Sequence, residues 1–311
     1  WQYILARGGN IMEWARAICY SGYREGQSPK TGTYPTYEQI KEDINILYNM
    51  GFKYIRMYDP IVYSEMTCQV IRDMKYDMQM MLGPDLISEV NNPNCPWLKT
   101  NYSDEELKAR AKRNDANIDE LIRIANENSD IINVVSVGNE NTPKWGANTV
   151  PVERLIEFAK RLKAGTGKPV TFNEGAIEWQ ELGKLAKYLD IISVHSYPLW
   201  GGNSVEGGLR ENKKWYRRMK ELYPDKEILF SEVGWATSSV GFAQIKEEDA
   251  NEENQKKYIE EFWKWSDSEK IIAYMFEAFD EPWKGGNTPE EPEKHWGMYF
   301  VDRTPKLVLQ N

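Results

Sequence analysis

Short runs of apolar residues recur along the chain, and each ends abruptly at a glycine, a proline or a polar side chain. The run at residues 131–137, IINVVSV, is mostly Ile and Val and does not alternate between apolar and polar positions. Such a run predicts a strand that is buried on both faces, as in a parallel sheet. Eight runs predict strands, at residues 14–20, 53–58, 78–82, 131–140, 169–173, 190–195, 227–230 and 271–276.

The segments between these runs show the spacing of an amphipathic helix. In the first of them, Ile40, Ile44 and Leu47 recur at intervals of four and three residues. Ser103 and Glu106 form a capping-box signature at the start of the longest segment. Helices are therefore predicted at residues 37–50, 64–75, 103–128, 152–164, 177–188, 209–223 and 251–265.

Strict alternation of strands and helices predicts right-handed βαβ units and a parallel sheet. Eight units in 311 residues match a single closed (β/α)8 barrel over residues 1–311, with an open doubly wound sheet as the competing arrangement. No G-x-G-x-x-G turn follows the first strand, which counts against a dinucleotide-binding fold. Long segments after the strands, such as residues 85–103, are expected to form loops around a substrate cleft.

Composition narrows the classes of partner. The chain has 28% charged and 41% hydrophobic residues, as a globular protein does, and its net charge of −9 makes a nucleic-acid partner unexpected. Three cysteines and two histidines offer neither a disulfide framework nor a multi-histidine metal centre, so we expect no metal and no cofactor. No apolar run approaches the ~20 residues of a membrane span. Because the chain begins at Trp1 and not at Met, we expect a processed protein that is secreted, periplasmic or on the cell surface. We also expect the protein to be a monomer.

Two of the predicted strands deliver a glutamate at the edge where parallel-strand folds carry their chemistry. Glu140 follows the fourth strand, and Glu232 follows the seventh in the stretch KEILFSEVGW. A lone glutamate at such a position is most simply an ordinary loop residue. Two at the same edge of one sheet indicate the pair of carboxylates that cleaves a glycosidic bond.

Other polar and aromatic side chains also follow the predicted strands. The polar ones are Arg56, Tyr58, Asn139, Glu174, His195, Tyr197, Glu277, Glu281 and Lys284. Many of the 12 tryptophans are expected to fill the core, but five lie in loops after strands or beside glycines: Trp145, Trp200, Trp235, Trp283 and Trp296. Flat indole faces in such loops suit the apolar face of a pyranose ring. The set predicts a cleft that binds sugar.

Five motifs together resemble glycoside hydrolase family 17, which comprises β-1,3-glucanases and related enzymes on a (β/α)8 barrel. They are RMYDP at 56–60, VGNE at 137–140, SEVGW at 231–235, YMFEAFDEPWK at 274–284 and HWGMYF at 295–300. The second and third are shared loosely by a wider clan of barrel glycosidases. The F-x-x-F-x-E-x-x-K pattern after the eighth strand is narrower, and the resemblance spans nearly the whole chain.

The resemblance implies that Glu140 is the general acid/base and Glu232 the nucleophile of a retaining glycosidase, with their carboxyl groups about 5–5.5 Å apart. Arg56 and Tyr197 would stabilise the ionised form of Glu232, and Asn139 would bond the 2-hydroxyl of the sugar.

The other predicted site residues fall into two groups. Those expected to bind substrate or shape the cleft are Tyr58, Tyr197, Trp200, Trp235, Trp283, Trp296 and the Glu281–Lys284 ion pair. Those expected to support the carboxylates are Arg56, Glu174, His195 and Glu277, and for Glu277 a sugar contact and a basic partner stay open.

The implied function is that of a retaining endo-β-1,3-glucanase acting on laminarin-like or cell-wall β-glucan. A β-1,3-glucanosyltransferase would use the same covalent intermediate and pass it to a sugar acceptor. A glucan-binding barrel without catalytic activity is a third possibility, and a clan relative that cleaves β-1,4-linked glucan or mannan is a fourth.

Overall fold

Eight parallel strands close into a barrel in the computed structural model, which describes residues 10–98, 101–241 and 243–310. Strand β1 pairs with β2 on one side and with β8 on the other, so the sheet has no edge. This closure confirms the predicted (β/α)8 barrel and rules out the open doubly wound sheet. The strands are β1 Arg16–Cys19, β2 Phe52–Met57, β3 Gln79–Leu82, β4 Ile132–Asn139, β5 Val170–Gly175, β6 Ile191–Ser196, β7 Glu227–Val233 and β8 Ala273–Met275.

A helix follows each of the first seven strands, as predicted. The helices are α1 Tyr37–Asn49, α2 Val62–Met74, α3 Asp104–Glu127, α4 Val152–Thr166, α5 Gly183–Ala186, α6 Val205–Leu222 and α7 Glu252–Glu269. The predicted capping box is present at α3, where Ser103 Oγ accepts from the backbone amide of Glu106 at 3.3 Å.

The fifth helical segment differs from its prediction. In place of one helix over residues 177–188, the chain forms a 3-10 turn at Glu178–Gln180 and then the four-residue α5. Trp179 is fully buried there, and its indole Nε1 donates to the carbonyl of Ser193 at 2.9 Å. This anchor fixes the 3-10 turn and so interrupts the predicted helix before α5.

The strands carry apolar side chains towards both the barrel interior and the helices. Every residue of β6 is buried, and in β7 only the first residue is partly exposed. Burial on both faces explains why the sequence shows continuous apolar runs instead of alternation. The polar residues at the carboxyl ends of the same strands therefore stand out as a separate feature.

The chain after β8 wraps around the carboxyl edge of the barrel. It contains 3-10 turns at Pro292–Lys294 and Leu307–Leu309, and an antiparallel bridge between Tyr299 and Pro305 closes a tight return between them. The buried Lys306 ammonium lies 2.7 Å from Asp280 Oδ1 and so ties this tail to the segment after β8.

Among the residues that the structure describes, no helix has both the length and the apolar character that a membrane-crossing segment needs.

Candidate active site

Glu140 and Glu232 face each other across the carboxyl end of the barrel. Glu140 directly follows β4, and Glu232 is the penultimate residue of β7. One oxygen of each carboxylate and a ring nitrogen of His195 all lie within 4.8 Å of one another. The two predicted catalytic carboxylates, 92 positions apart in the sequence, are thus brought to within the width of a sugar ring.

The backbone presents Glu140 to the cleft from an uncommon conformation. Its φ of +48° lies in the left-handed region, and its amide donates to the carbonyl of Asn173 on β5 at 2.9 Å. Non-glycine residues in this region cluster at functional sites, where the surrounding structure holds them. The side chain of Glu140 is 29% exposed, and one of its oxygens shares a hydrogen bond of 2.8 Å with His195 Nδ1.

Glu174, at the end of β5, holds the turn that carries Glu140. One oxygen of its fully buried carboxyl accepts hydrogen bonds from the amide of Thr142 at 3.1 Å and from the Thr142 hydroxyl at 2.8 Å. Burial raises the pKa of Glu174 to about 8, and the negative charge of Glu140 adds to the shift. Glu174, predicted as a supporting residue, therefore contacts Thr142, two residues after Glu140, and so holds the turn that carries Glu140.

Glu232 sits in a buried pocket of donors. Arg56 Nη1 lies 2.5 Å from Oε1, the Tyr58 hydroxyl donates to the same oxygen at 3.0 Å, and the Tyr197 hydroxyl donates to Oε2. Burial alone would raise the pKa of this carboxyl, but the neighbouring His195 and the charge of Arg56, together with the hydrogen bonds from Tyr197 and Arg56, lower the pKa below its usual range. The predicted contacts of Arg56 and Tyr197 are present, and Glu232 is held ionised, as a nucleophile must be.

Arg56 also reaches the other side of the cleft. Its Nη2 donates to the side-chain oxygen of Asn139, the last residue of β4. This contact orients the amide and leaves its NH2 group to donate to a ligand. The role predicted for Asn139, a bond to the sugar 2-hydroxyl, is compatible with that orientation and stays a prediction.

Two carboxylates and an imidazole this close are also groups that bind metal ions. Here both oxygens of Glu232 already accept hydrogen bonds, and the permanent charge of Arg56 beside it opposes a second cation. The hydrogen-bond donors around Glu232 therefore suit a carboxylate paired with Arg56 better than a carboxylate that binds a metal ion. The expectation of no metal stays a prediction.

A second charged cluster follows β8. Lys284 lies 3.3 Å from Glu277 and pairs with Glu281, which also accepts from the Ser21 hydroxyl and from Trp283 Nε1. Burial and the neighbouring Glu281 raise the pKa of Glu277. The predicted Glu281–Lys284 ion pair is present. Glu277 is fully buried and pairs with Lys284. Of the two roles left open for Glu277, the structure therefore favours the one as partner of a basic residue over a contact with sugar.

Two further carboxylates lie close to this centre and had no signal in the sequence. Burial raises the pKa of Glu293. The charge of Lys284 opposes this shift, and the charges of Glu140 and Glu232 add to it. Burial also raises the pKa of Glu178, with Glu140 among the contributing charges. Both lie in short 3-10 turns, which strand-end reasoning does not reach.

Trp200 and Trp283 are partly exposed, as a sugar-stacking role requires. Trp200 packs at 43° against Trp296, with ring centroids 5.9 Å apart, and Trp283 packs edge-on against Tyr23 at 5.7 Å. Their contact with substrate stays a prediction.

The predicted stacking roles of Trp235 and Trp296 are wrong, because neither presents an indole face to solvent. Trp235 is fully buried against Tyr258, and its Nε1 donates to the carbonyl of Asp249 at 2.8 Å. Trp296 is 1% exposed and lies beneath Tyr197, with ring centroids 5.0 Å apart. Both are therefore buried packing residues.

Comparison with known proteins supports a carbohydrate-active barrel. The family model described as "BtgE/BtgC glycoside hydrolase domain" matches residues 17–297. The "Glucan 1,3-beta-glucosidase" of Arthroderma benhamiae is 27% identical over 209 residues, which are 62% of this chain and 66% of that protein. The "Probable glucan endo-1,3-beta-glucosidase btgC" of Aspergillus clavatus is 25% identical over 235 residues, 69% of this chain and 32% of that protein. The match thus spans about two thirds of the length of the first relative and about one third of the length of the second.

Solved structures agree on the fold. An endo-laminarinase from Formosa Hel1_33_131 superposes with a TM-score of 0.80 at 24% identity, covering 95% of this chain and 86% of that one. A glycoside hydrolase family 17 β-1,3-glucanosyltransferase from Rhizomucor miehei gives 0.73 at 21% identity, covering 96% and 97%. The predicted resemblance to family 17 is confirmed by these neighbours and by the family match. This chain, with its paired glutamates at the ends of β4 and β7, belongs to the BtgE/BtgC glycoside hydrolase domain family.

Proposed function

We propose that this protein is a retaining endo-β-1,3-glucanase that cleaves laminarin-like or cell-wall β-1,3-glucan through a covalent glycosyl-enzyme intermediate. One observation carries the proposal: oxygens of Glu140 and Glu232 lie within 4.8 Å of each other. Retaining glycosidases hold their carboxyl groups about 5–5.5 Å apart, whereas inverting enzymes need about 6.5–9.5 Å to admit a water molecule. The names of the relatives support β-1,3-glucan as the substrate class.

The geometry assigns a role to each carboxylate. Glu232, ionised by its contacts with Arg56 and Tyr197, attacks the anomeric carbon, and the bond from that carbon to the leaving oxygen breaks. Glu140, which is partly exposed to the cleft, gives its proton to that oxygen. Water then attacks the anomeric carbon, Glu140 takes its proton, and the bond to Glu232 breaks.

The test is incubation with laminarin, followed by counts of reducing ends, product sizes and the anomeric configuration of the first products by proton NMR. The proposal expects new reducing ends from the start, a mixture of internal fragments, and β-anomers before mutarotation. Products longer than the substrate with few new reducing ends would instead indicate a glucanosyltransferase. Initial α-anomers would overturn the retaining mechanism, and cleavage of β-1,4-glucan alone would overturn the substrate class.

The proposal includes a location and an assembly state. A polymer of the cell wall or the surroundings is reached outside the cytoplasm, so the protein would be secreted, periplasmic or on the cell surface, and would act as a monomer. Fractionation of the native source and light scattering on the purified protein test these two points.

A further inference from the structure

Trp97 and Trp145 form an exposed aromatic pair that the catalytic centre does not use. They are the two exposed tryptophans in the described part of the chain, at 65% and 46% of their surface. Their ring centroids lie 5.8 Å apart and the ring planes are tilted by 51°. Large aromatic surface exposed in this way is unfavourable in water and typically marks a binding site.

The pair lies on the catalytic edge of the barrel, because Trp97 belongs to the loop after β3 and Trp145 to the loop after β4. Gly146, next to Trp145, packs on the backbone of Glu140: a Cβ added to Gly146 would lie 3.6 Å from the Glu140 carbonyl oxygen. Trp145 is therefore joined to the general acid through one compact turn.

Side-chain and backbone hydrogen bonds join the two loops in advance of any ligand. Asn92, five residues before Trp97, donates through Nδ2 to the carbonyls of Lys144 at 2.9 Å and Gly146 at 2.8 Å, on either side of Trp145. The amide of Glu89 donates to the carbonyl of Thr149 at 2.9 Å. Rigid aromatic surface loses little conformational entropy when it binds.

A second aromatic pair in the same molecule shows how the angle between two rings changes the ring surface that stays open. Tyr48 and Tyr76 also form a surface pair, at the end of α1 and before β3, on the opposite edge of the barrel. Their rings stack face to face, 3.7 Å apart and 2° from parallel, so each covers a face of the other. The tilted indoles of Trp97 and Trp145 leave more of their faces open to a ligand.

We propose that Trp97 and Trp145 form a remote platform that binds a β-1,3-linked glucan chain beyond the units flanking the cleaved bond. The linkage follows from the tilt. A β-1,4-linked chain is a flat ribbon whose successive rings suit coplanar aromatic faces, whereas a β-1,3-linked chain turns from one unit to the next and suits faces set at an angle. This inference rests on the proposed function for its substrate class, and it adds the determinant of chain length.

The experiment compares Trp97→Ala, Trp145→Ala and the double variant with the wild type, and uses Tyr48→Ala as a matched exposed aromatic on the opposite edge. Substrates are laminari-oligosaccharides of increasing length. For the double variant we expect kcat/KM on the longest chains to fall about 10-fold relative to kcat/KM on laminaritriose, mainly through KM. Tyr48→Ala should leave this ratio unchanged. An equal loss on short and long chains, or no loss, overturns the platform.

Two further arms separate this inference from the proposed function. The first is electrophoresis in native gels that contain laminarin, a binding assay that needs no turnover. The wild type should be retarded, and the double Ala variant should be retarded much less. A Trp97→Phe/Trp145→Phe variant should be retarded nearly as much as the wild type. Gels containing a β-1,4-glucan should retard none of them. If retardation depends on the two indoles but laminarin yields no new reducing ends, the catalytic proposal alone is contradicted. If the wild type and the double Ala variant are retarded equally, the platform alone is contradicted.

Discussion

At the scale of single residues, the environments of Glu140 and Glu232 differ in the way that a retaining glycosidase requires. Glu232 is buried among Arg56, Tyr58 and Tyr197, all of which stabilise its negative charge. Glu140 faces the cleft, and its described side-chain hydrogen bond is the one shared with His195. Two chemically identical side chains thus have different surroundings, as the two roles proposed for them require.

The first prediction concerns the nucleophile. Glu232→Gln keeps the shape and some of the hydrogen bonds but removes the attacking charge, so turnover of laminarin should fall by about 1,000-fold or more. Oligosaccharide affinity, measured by calorimetry, should change little. Glu227→Gln is the matched control, because Glu227 lies at the opposite end of the same strand. Retention of more than a tenth of the activity in Glu232→Gln would count against the assignment.

The second prediction separates the acid from the nucleophile. Glu140→Ala should slow hydrolysis of laminarin by a factor of at least about 100 and have a much smaller effect on an aryl β-laminaribioside with an acidic phenol as leaving group. The reason is that only the sugar leaving group needs a proton. Initial rates on the two substrates provide the measurement. Equal losses on both would contradict the role of Glu140 as general acid.

At the scale of elements, the candidate catalytic residues lie at the carboxyl ends of the strands, and neighbouring strands hold them in place. The turn after β4 depends on the neighbouring strand: Asn173 of β5 accepts from the amide of Glu140, and Glu174 accepts from Thr142. The same strand therefore stabilises the left-handed conformation of Glu140 and places a second carboxyl nearby. Because Glu174 is buried beside this turn, its protonation should make the stability of the folded protein depend on pH.

The third prediction follows from the pKa of Glu174, which burial raises to about 8 from 4.5. Between these two values the folded protein binds a proton that the unfolded chain has released, so the free energy of unfolding should fall as pH rises from about 5 to 8. The contribution of one proton is at most about 1.4 kcal/mol per pH unit.

Urea unfolding at pH 5, 6, 7 and 8 measures this slope. Glu174→Gln should remove the contribution and so become more stable relative to the wild type as pH rises. Glu181→Gln, at an exposed position near the same strand, serves as control. Identical slopes for the wild type and Glu174→Gln would contradict the assignment.

At the scale of the whole molecule, the tail after β8 seals the barrel where its first and last strands meet. Arg303 donates to the buried carboxylate of Asp43 and to the carbonyl of Gly22 at 2.9 Å, and Lys306 reaches Asp280 at 2.7 Å. These buried contacts connect the last residues to α1, to the loop after β1 and to the segment after β8. The tail is therefore part of the structure that supports the cleft.

The fourth prediction tests this seal. Lys306→Ala leaves the carboxylate of Asp280 buried without its ammonium, and the free energy of unfolding should fall by about 3–5 kcal/mol. Lys184→Ala, which removes a surface pair with Glu153 away from the tail, should cost less than about 1 kcal/mol. Urea unfolding of both variants gives the comparison. Equal and small effects would show that the tail contributes little.

The sequence alone was sufficient for the order of elements and for the two catalytic candidates. The continuous apolar runs of the strands and the helical spacing between them are local signals, because burial on both faces or on one stripe dictates them. Glu140 and Glu232 were found because each directly follows such a run. The interrupted helix at residues 177–188 was missed because its cause, the anchoring of Trp179 to β6, is a tertiary contact.

What only the tertiary structure decided is which side chains face the cleft and how they meet. Trp235 and Trp296 have the same local context as Trp200, yet two are buried and one is partly exposed, because packing against Tyr258 and Tyr197 covers them. Closure of the barrel sets the distance between Glu140 and Glu232. Distances across a ring of strands depend on pairings between residues remote in the chain, and no local pattern of residues encodes them.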